Sequence, residues 1–79
     1  MIDKLISYLS HKLDVDEALI KPESHLIDDL GSDDFTIIEL IIEVEDKWDC
    51  TISDTEARAI NTVQDIFDTI ERNRNSYGS

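Results

Sequence analysis

Hydrophobic residues recur at helical spacing in three segments of the chain, and no segment shows the strict alternation that is typical of a β-strand. The first segment predicts a helix over residues 3–14, with Asp3 early and Lys12 late to complement the helix dipole. The second predicts a helix from Asp33 or Asp34 to Trp48, and the third predicts a helix that ends near residues 72–73. The hydrophobic positions that carry these patterns are Ile2, Leu5, Ile6, Leu9 and Leu13; Ile37, Leu40, Ile41, Val44 and Trp48; and Val63, Ile66, Phe67 and Ile70.

The helical pattern breaks between residues 14 and 33, where Pro22 lacks a backbone donor and the hydrophobic residues recur irregularly. We interpret this stretch as a long loop that its hydrophobic residues hold across the bundle, with a short turn over residues 16–20. Residues 53–56 are typical of a capping box and predict a short helix that runs to about Ile60, and residues 61–64 offer a second such box.

These elements predict an all-α fold, a small four-helix bundle with a long first loop and a short third helix. We expect one domain over residues 1–74 and a flexible C-terminal tail over residues 75–79. A chain of this size buries only roughly 60% of the surface that it exposes when unfolded, so its core is modest.

The second predicted helix carries two hydrophobic stripes, although an outer helix of a small bundle needs only one buried face. The second stripe consists of Phe35, Ile38 and Ile42, with Glu45 on one side and Glu39 and Asp46 on the other. One interpretation is a surface that binds a partner. The alternative is that the long loop or the third helix covers Ile38 and Ile42.

The segment Leu30-Gly31-Ser32-Asp33-Asp34-Phe35, followed by Glu39-Leu40, resembles the Leu-Gly-x-Asp-Ser-Leu…Glu-Leu signature of acyl carrier proteins. The resemblance extends to residues 26–30, to Trp48-Asp49 and to residues 60–64, and therefore covers nearly the whole chain. It implies the four-helix acyl-carrier fold. In that family a serine at the start of the second helix carries a 4′-phosphopantetheine arm, and Asp34 stands at the corresponding position here.

A carboxylate at residue 34 cannot form the stable phosphodiester of the family, because attack on phosphorus would give a labile mixed anhydride. Ser32 is the nearest hydroxyl, but it lies two residues early, so we expect no cofactor on this chain as written. Asp34 either supplies a negative charge where the family carries its phosphodiester or only starts the helix.

Two interpretations of function remain open within this family, while a third, an acidic helical protein that responds to divalent ions, is disfavoured by the absence of a coordination loop. The chain is an acyl carrier protein of fatty-acid, lipid or polyketide synthesis in which Asp replaces the modifiable serine by engineering, or it is a natural, non-carrying docking or regulatory module. The resemblance implies that partners bind along the second helix, and the predicted docking residues are Asp33, Phe35, Ile38, Glu39, Ile42, Glu45 and Asp46. The expected partners are basic surfaces of acyl-processing enzymes and a phosphopantetheinyl transferase, and we predict a monomer.

The charge balance narrows the possible partners. With 19 acidic and 7 basic residues the formal net charge is −12, which argues against nonspecific binding to nucleic acid or to anionic membranes. No hydrophobic run approaches the ~18 residues of a membrane span, and the N-terminus does not resemble a signal peptide, so we predict a cytoplasmic protein without membrane insertion. The single cysteine, Cys50, is interpreted as a packing residue.

The densest group of carboxylates comprises Asp28, Asp29, Asp33, Asp34 and Glu39. Nothing in the sequence raises the pKa of one of them selectively, so we predict no catalytic residue and no enzyme. Their spacing does not match an EF-hand loop, and we predict no dedicated metal site, although weak binding of divalent cations to these acids remains open.

Overall fold

In the computed structural model, which describes residues 2–74, the chain forms a four-helix bundle that measures 36 × 24 × 19 Å. The helices are α1 (Ile2–Leu13), α2 (Asp34–Trp48), α3 (Asp54–Ala59) and α4 (Val63–Asn73). The all-α fold with a short third helix is therefore confirmed. The predicted tail, residues 75–79, lies outside the described residues.

Local signals in the sequence set most helix ends. Asp14 adopts a left-handed conformation with φ of 55° and ends α1 one residue earlier than predicted. A 3₁₀ turn over Glu17–Leu19 follows, and the side chain of Asp16 accepts a hydrogen bond from the Ala18 amide. Ser53 and Glu56 form the predicted capping box at the start of α3.

The second capping box is shifted by one residue from the prediction over residues 61–64. Thr62 is the N-cap of α4, and its hydroxyl accepts a hydrogen bond from the Asp65 amide at 3.1 Å. The Asp65 carboxylate in turn accepts from the amides of both Asn61 and Thr62. Because Thr62 has the extended backbone of an N-cap, the box pairs Thr62 with Asp65 rather than Asn61 with Gln64.

The core is built from one face of each long helix and from the loops between them. In α2 the buried residues are Leu40, Ile41 and Val44, while Ile37 and Trp48 are partly buried at the edge of the same face. Cys50 is also buried, and burial raises the pKa of its thiol, as expected for a packing residue. The buried hydrophobic residues are Leu5, Leu9, Ile20, Leu26, Leu30, Leu40, Ile41, Val44, Cys50, Ile52, Ile60, Val63, Ile66 and Ile70.

The long loop between α1 and α2 is fastened to the start of α4 by backbone hydrogen bonds, a contact that the sequence does not predict. The Leu26 amide donates to the Asn61 carbonyl at 2.9 Å, and the Val63 amide donates to the Ser24 carbonyl at 3.1 Å. A third bond, at 2.8 Å, joins the Gln64 amide to the Pro22 carbonyl. With Leu26 fully buried as well, this loop presents the N-terminus of α2 at a defined place on the bundle.

Glu56 joins α3 to α4. Its carboxylate accepts hydrogen bonds from Asn73 at 2.8 Å and from Arg72 at 3.1 Å, and it also accepts from the Ser53 amide. The Asn73 side chain, the Ser53 amide and Arg72 lower the pKa of Glu56 to about 2. The ionised carboxylate is therefore favoured by the folded state.

We expect acid to remove this contribution to stability. The pKa of Glu56 is lower in the folded chain than its ordinary value of 4.5, so the stabilisation is present above that pH and is lost as the pH falls towards about 2. Glu56→Gln should destabilise the domain at neutral pH and flatten the fall in melting temperature between pH 4.5 and about 2. Parallel pH profiles for the two proteins would contradict this assignment.

Candidate functional site at the start and outer face of α2

The turn that precedes α2 depends on Gly31. Its φ of 73° lies in the left-handed region, which residues other than glycine rarely adopt. The chain then becomes extended at Asp33, whose carboxylate accepts a hydrogen bond from the Thr36 amide at 2.8 Å. This bond, together with one from the Thr36 side chain, lowers the pKa of Asp33. Asp33 is thus the N-cap of α2 and remains exposed at the surface.

Ser32 is part of the core. Only 7% of its surface is exposed, and its hydroxyl donates a hydrogen bond to the Leu26 carbonyl at 2.5 Å. The Ser32 amide bonds to the same carbonyl. The hydroxyl therefore holds the long loop against the start of α2 and does not face an approaching enzyme.

We expect Ser32→Ala to lower the free energy of unfolding by roughly 0.5–1.5 kcal/mol, because a buried hydrogen bond is lost while the Leu26 carbonyl still accepts from the amide of residue 32. Urea unfolding of the variant and the unmutated chain would measure the difference. Ser53→Ala, which removes an exposed capping hydroxyl, should cost about 1 kcal/mol and serves as the comparison. An unchanged free energy of unfolding for Ser32→Ala, beside a measurable loss for Ser53→Ala, would show that the Ser32 bond contributes little.

Asp34 is the first residue of α2 and is exposed. A negative charge in the first turn of a helix is favourable by about 0.3–1 kcal/mol at such a position. Residues 27–50 contain two hydroxyl side chains, Ser32 and Thr36. The first is buried and bonded to Leu26, and the second is half-buried and bonded to Asp33. Neither presents a free nucleophile where α2 begins.

The second hydrophobic stripe of α2 faces solvent. Phe35 is 68% exposed, Ile38 58% and Ile42 60%. Neither the long loop nor α3 covers Ile38 and Ile42, so the alternative that they belong to the core is wrong. We call these three residues the apolar strip.

The acidic residues beside the apolar strip differ in whether their carboxylates already make contacts within the chain. Asp46 is exposed. Glu39 lies 3.7 Å from the Lys12 ammonium, and Glu45 accepts a hydrogen bond from the Ile52 amide at 2.8 Å. Asp33 is the N-cap described above. Among the predicted docking acids, Asp46 is therefore the one whose charge is least committed to contacts within the described structure.

Glu43, which is not among the predicted docking residues, lies on the same side of α2 as Glu39. It accepts hydrogen bonds from the Tyr8 hydroxyl at 2.7 Å and from Lys12 at 2.9 Å. Burial and the neighbouring Glu43 raise the pKa of Tyr8, while Lys12 and Tyr8 lower the pKa of Glu43. This network joins α1 to α2 beneath the acidic side of the strip. These contacts join residues that are far apart along the chain, so the sequence alone could not predict them.

A cavity of about 550 Å³ opens between α2 and α3, directly beside Asp34. This groove could not be predicted from the sequence, because its walls come from segments that are far apart along the chain. Six of its ten lining residues are hydrophobic, and the polar ones are Asp34, Asp54, Arg58 and Asn61. The lining residues are Ile27, Asp34, Ile37, Ile38, Ile41, Asp54, Ala57, Arg58, Ile60 and Asn61.

The carboxylates that form a dense group in the sequence are dispersed in the structure. Asp29 bonds to the His25 amide at 2.7 Å, whereas Glu39 turns towards Lys12. Within residues 2–74 no three His, Cys, Asp or Glu side chains are grouped so that they could hold a metal ion. Over the same residues, no helix is both long and apolar enough to cross a bilayer.

Comparison with known proteins shows which family has this architecture. The family model described as a phosphopantetheine attachment site matches residues 3–70. The chain belongs to the acyl carrier protein family. It is 38% identical over 71 residues to an acyl carrier protein of Syntrophobacter fumaroxidans, and the match covers 90% of this chain and 88% of the relative. The family assignment made from the Leu30–Phe35 motif is therefore confirmed.

Solved structures agree with this assignment. A candidate acyl carrier protein from Mycobacterium tuberculosis superposes with a TM-score of 0.81 at 32% identity, over 91% of this chain and 97% of that one. The apo doublet acyl carrier protein from prodigiosin biosynthesis superposes with a TM-score of 0.70 at 20% identity. That match covers 98% of this chain and 39% of the doublet, and it supports the fold alone.

Acyl carrier proteins are carriers rather than enzymes, and members of the family bear 4′-phosphopantetheine and interact with acyl-processing enzymes. The start of α2 in this chain does not fit attachment of that group. The exposed side chains there are the carboxylates of Asp33 and Asp34, and the nearby hydroxyls of Ser32 and Thr36 are engaged in hydrogen bonds.

Proposed function

We propose that this acyl carrier family protein serves acyl-processing enzymes of fatty-acid, lipid or polyketide synthesis, which it binds through α2, and that it does not carry the arm as written. The observation that carries the proposal is the apolar strip, which begins one residue after Asp34 and is exposed along its length. A cytoplasmic location, predicted from the sequence, belongs to the same proposal.

The strip and its acids suit a partner with a basic rim around a hydrophobic recess. Hydrophobic side chains that become fully buried supply much of the lifetime of such a complex, whereas charges at the rim mainly steer the encounter. Phe35, Ile38 and Ile42 would supply the buried part. Asp46 would supply most of the steering, since Glu39 and Glu45 already make contacts within the chain.

We expect Asp46→Lys to slow association roughly threefold to tenfold at low salt and to weaken its dependence on ionic strength. Surface plasmon resonance against a phosphopantetheinyl transferase, and against acyl-processing enzymes encoded beside the gene, would measure this. Glu23→Lys makes the same charge change on the exposed loop and is the control. If both variants associated equally slowly, the change in net charge alone would explain the effect. The proposal that Asp46 steers the encounter would then be wrong.

In the same measurements Ile42→Ala should leave association nearly unchanged and speed dissociation by roughly tenfold. The matched control is Leu19→Ala, since Leu19 is 66% exposed and lies in the 3₁₀ turn of the long loop. Unchanged dissociation of Ile42→Ala would show that the strip is not the contact surface.

The alternative, a natural docking or regulatory module, uses the same surface but transports nothing. The codon for residue 34 in the native gene separates the two, because a serine codon would indicate an engineered carrier. Asp34 would then replace the attachment residue, whereas in a natural module its carboxylate would be part of the recognised surface.

A further inference from the structure

Four basic side chains within residues 2–74 have no ion-pair partner among the described residues: Lys4, Lys21, Lys47 and Arg58. In a chain of net charge −12, unpaired cations are few. Two of the four, Lys4 and Lys47, line the same cavity, which has a volume of about 640 Å³. This cavity lies between α1 and the C-terminal end of α2, away from Asp34 and from the groove beside α3.

The other residues that line this cavity also suit an anionic ligand that contains an aromatic ring. Ser7, Tyr8 and His11 come from α1, and Trp48 comes from α2. The rings of Tyr8 and Trp48 meet edge to face at 6.1 Å, and the Lys47 ammonium lies 5.8 Å from the centre of the Tyr8 ring. Among the described residues, no acidic side chain lines the cavity.

Glu43, on the adjoining surface, accepts hydrogen bonds from the Tyr8 hydroxyl and from Lys12 at 2.9 Å. Lys12 and Tyr8 lower the pKa of Glu43, and the charge of Lys47 lowers it further, so this carboxylate interacts with one lysine of the cavity as well as with Lys12. Neither cavity lysine forms an ion pair among residues 2–74, so both can pair with the phosphate of a ligand, and Ser7 and His11 add hydrogen-bonding groups on the same face of α1.

We propose that this cavity, which we call the basic pocket, binds a small aromatic phosphate monoester. Two ammonium groups match the charge of about −1.5 to −2 that such a phosphate carries at neutral pH. The ring of the ligand packs against Tyr8 and Trp48. A volume of 640 Å³ falls within the range of roughly 300–1,000 Å³ that is common for small-molecule sites.

The pocket contains its own reporter, since Trp48 is the single tryptophan of the chain. Phenyl phosphate should shift the indole signal of Trp48 and the amide signals of Lys4, Ser7 and Lys47 saturably in two-dimensional ¹H–¹⁵N spectra. Phenol provides the aromatic ring without the phosphate, and inorganic phosphate provides the phosphate without the ring. Each should therefore bind more weakly than phenyl phosphate.

The deciding variant combines Lys4→Gln with Lys47→Gln. It should weaken the binding of phenyl phosphate roughly fivefold to tenfold. Lys21→Gln with Arg58→Gln removes the same charge elsewhere on the surface and should leave the affinity nearly unchanged. Circular dichroism should show that both variants keep their helices, because all four side chains are exposed. Equal weakening by the two variants, shifts that do not saturate, or inorganic phosphate that binds as tightly as phenyl phosphate would overturn the proposal.

Discussion

Asp34→Ser, incubated with coenzyme A and a broad-specificity phosphopantetheinyl transferase, is expected to gain the mass of one 4′-phosphopantetheine group, whereas the unmutated chain keeps its mass. The substitution places an exposed hydroxyl at the first residue of α2. It leaves the Asp33 cap and the Ser32 bond to Leu26 unchanged, so the surface presented to the transferase is otherwise the same. Intact-mass spectrometry measures the outcome directly.

Two controls identify the attachment site. Asp34→Ala removes the carboxylate without adding a nucleophile and should not be modified. Asp34→Ser combined with Ser32→Ala should still be modified, because the Ser32 hydroxyl is buried. A mass gain on the unmutated chain that peptide mapping assigns to Ser32 would contradict both the buried role of that hydroxyl and the predicted correspondence of Asp34.

Leu40→Ala is expected to lower the free energy of unfolding by about 2–5 kcal/mol, a large part of the stability of a domain of this size. Leu40 is fully buried in the core face of α2, so its removal leaves a cavity. Ile42 is two residues away in the same helix but 60% exposed. Ile42→Ala should change stability by no more than about 0.5 kcal/mol, because alanine is also the better helix former.

Urea unfolding followed by circular dichroism compares the two variants under the same conditions. The contrast matters for function, since Ile42→Ala is also the variant that should speed dissociation from a partner. If Ile42→Ala destabilised the domain as much as Leu40→Ala, its effect on binding would follow from unfolding, and the apolar strip would be part of the core.

Much of the fold could be predicted because the signals that set helix ends are local. The N-cap at Asp33 and the capping box from Ser53 to Glu56 each depend on side chains that reach the backbone within three residues. The sequence predicts the box at α4 one residue early, since Asn61, Thr62 and Asp65 allow more than one local pairing. The observed pair is Thr62 with Asp65.

The apolar strip could also be predicted, because helical periodicity separates two faces of α2 without any knowledge of its neighbours. Helical periodicity could not predict which of the neighbouring carboxylates make contacts within the chain. Glu39 and Glu45 look equivalent to Asp46 on a helical wheel, but the first contacts Lys12 of α1 and the second bonds to the Ile52 amide. Both contacts require knowledge of which segment packs beside α2.

The sequence by itself determined the helices, the two faces of α2, the family and the aspartate at the start of α2, because these follow from residue type and short-range spacing. Only the tertiary structure decided that Ser32 is buried, that Ile38 and Ile42 are uncovered, and that Lys4 and Lys47 share a cavity. Lys4 and Lys47 are 43 positions apart in the numbering. Such properties depend on how the helices and the long loop pack together, and no local pattern of residues encodes that packing.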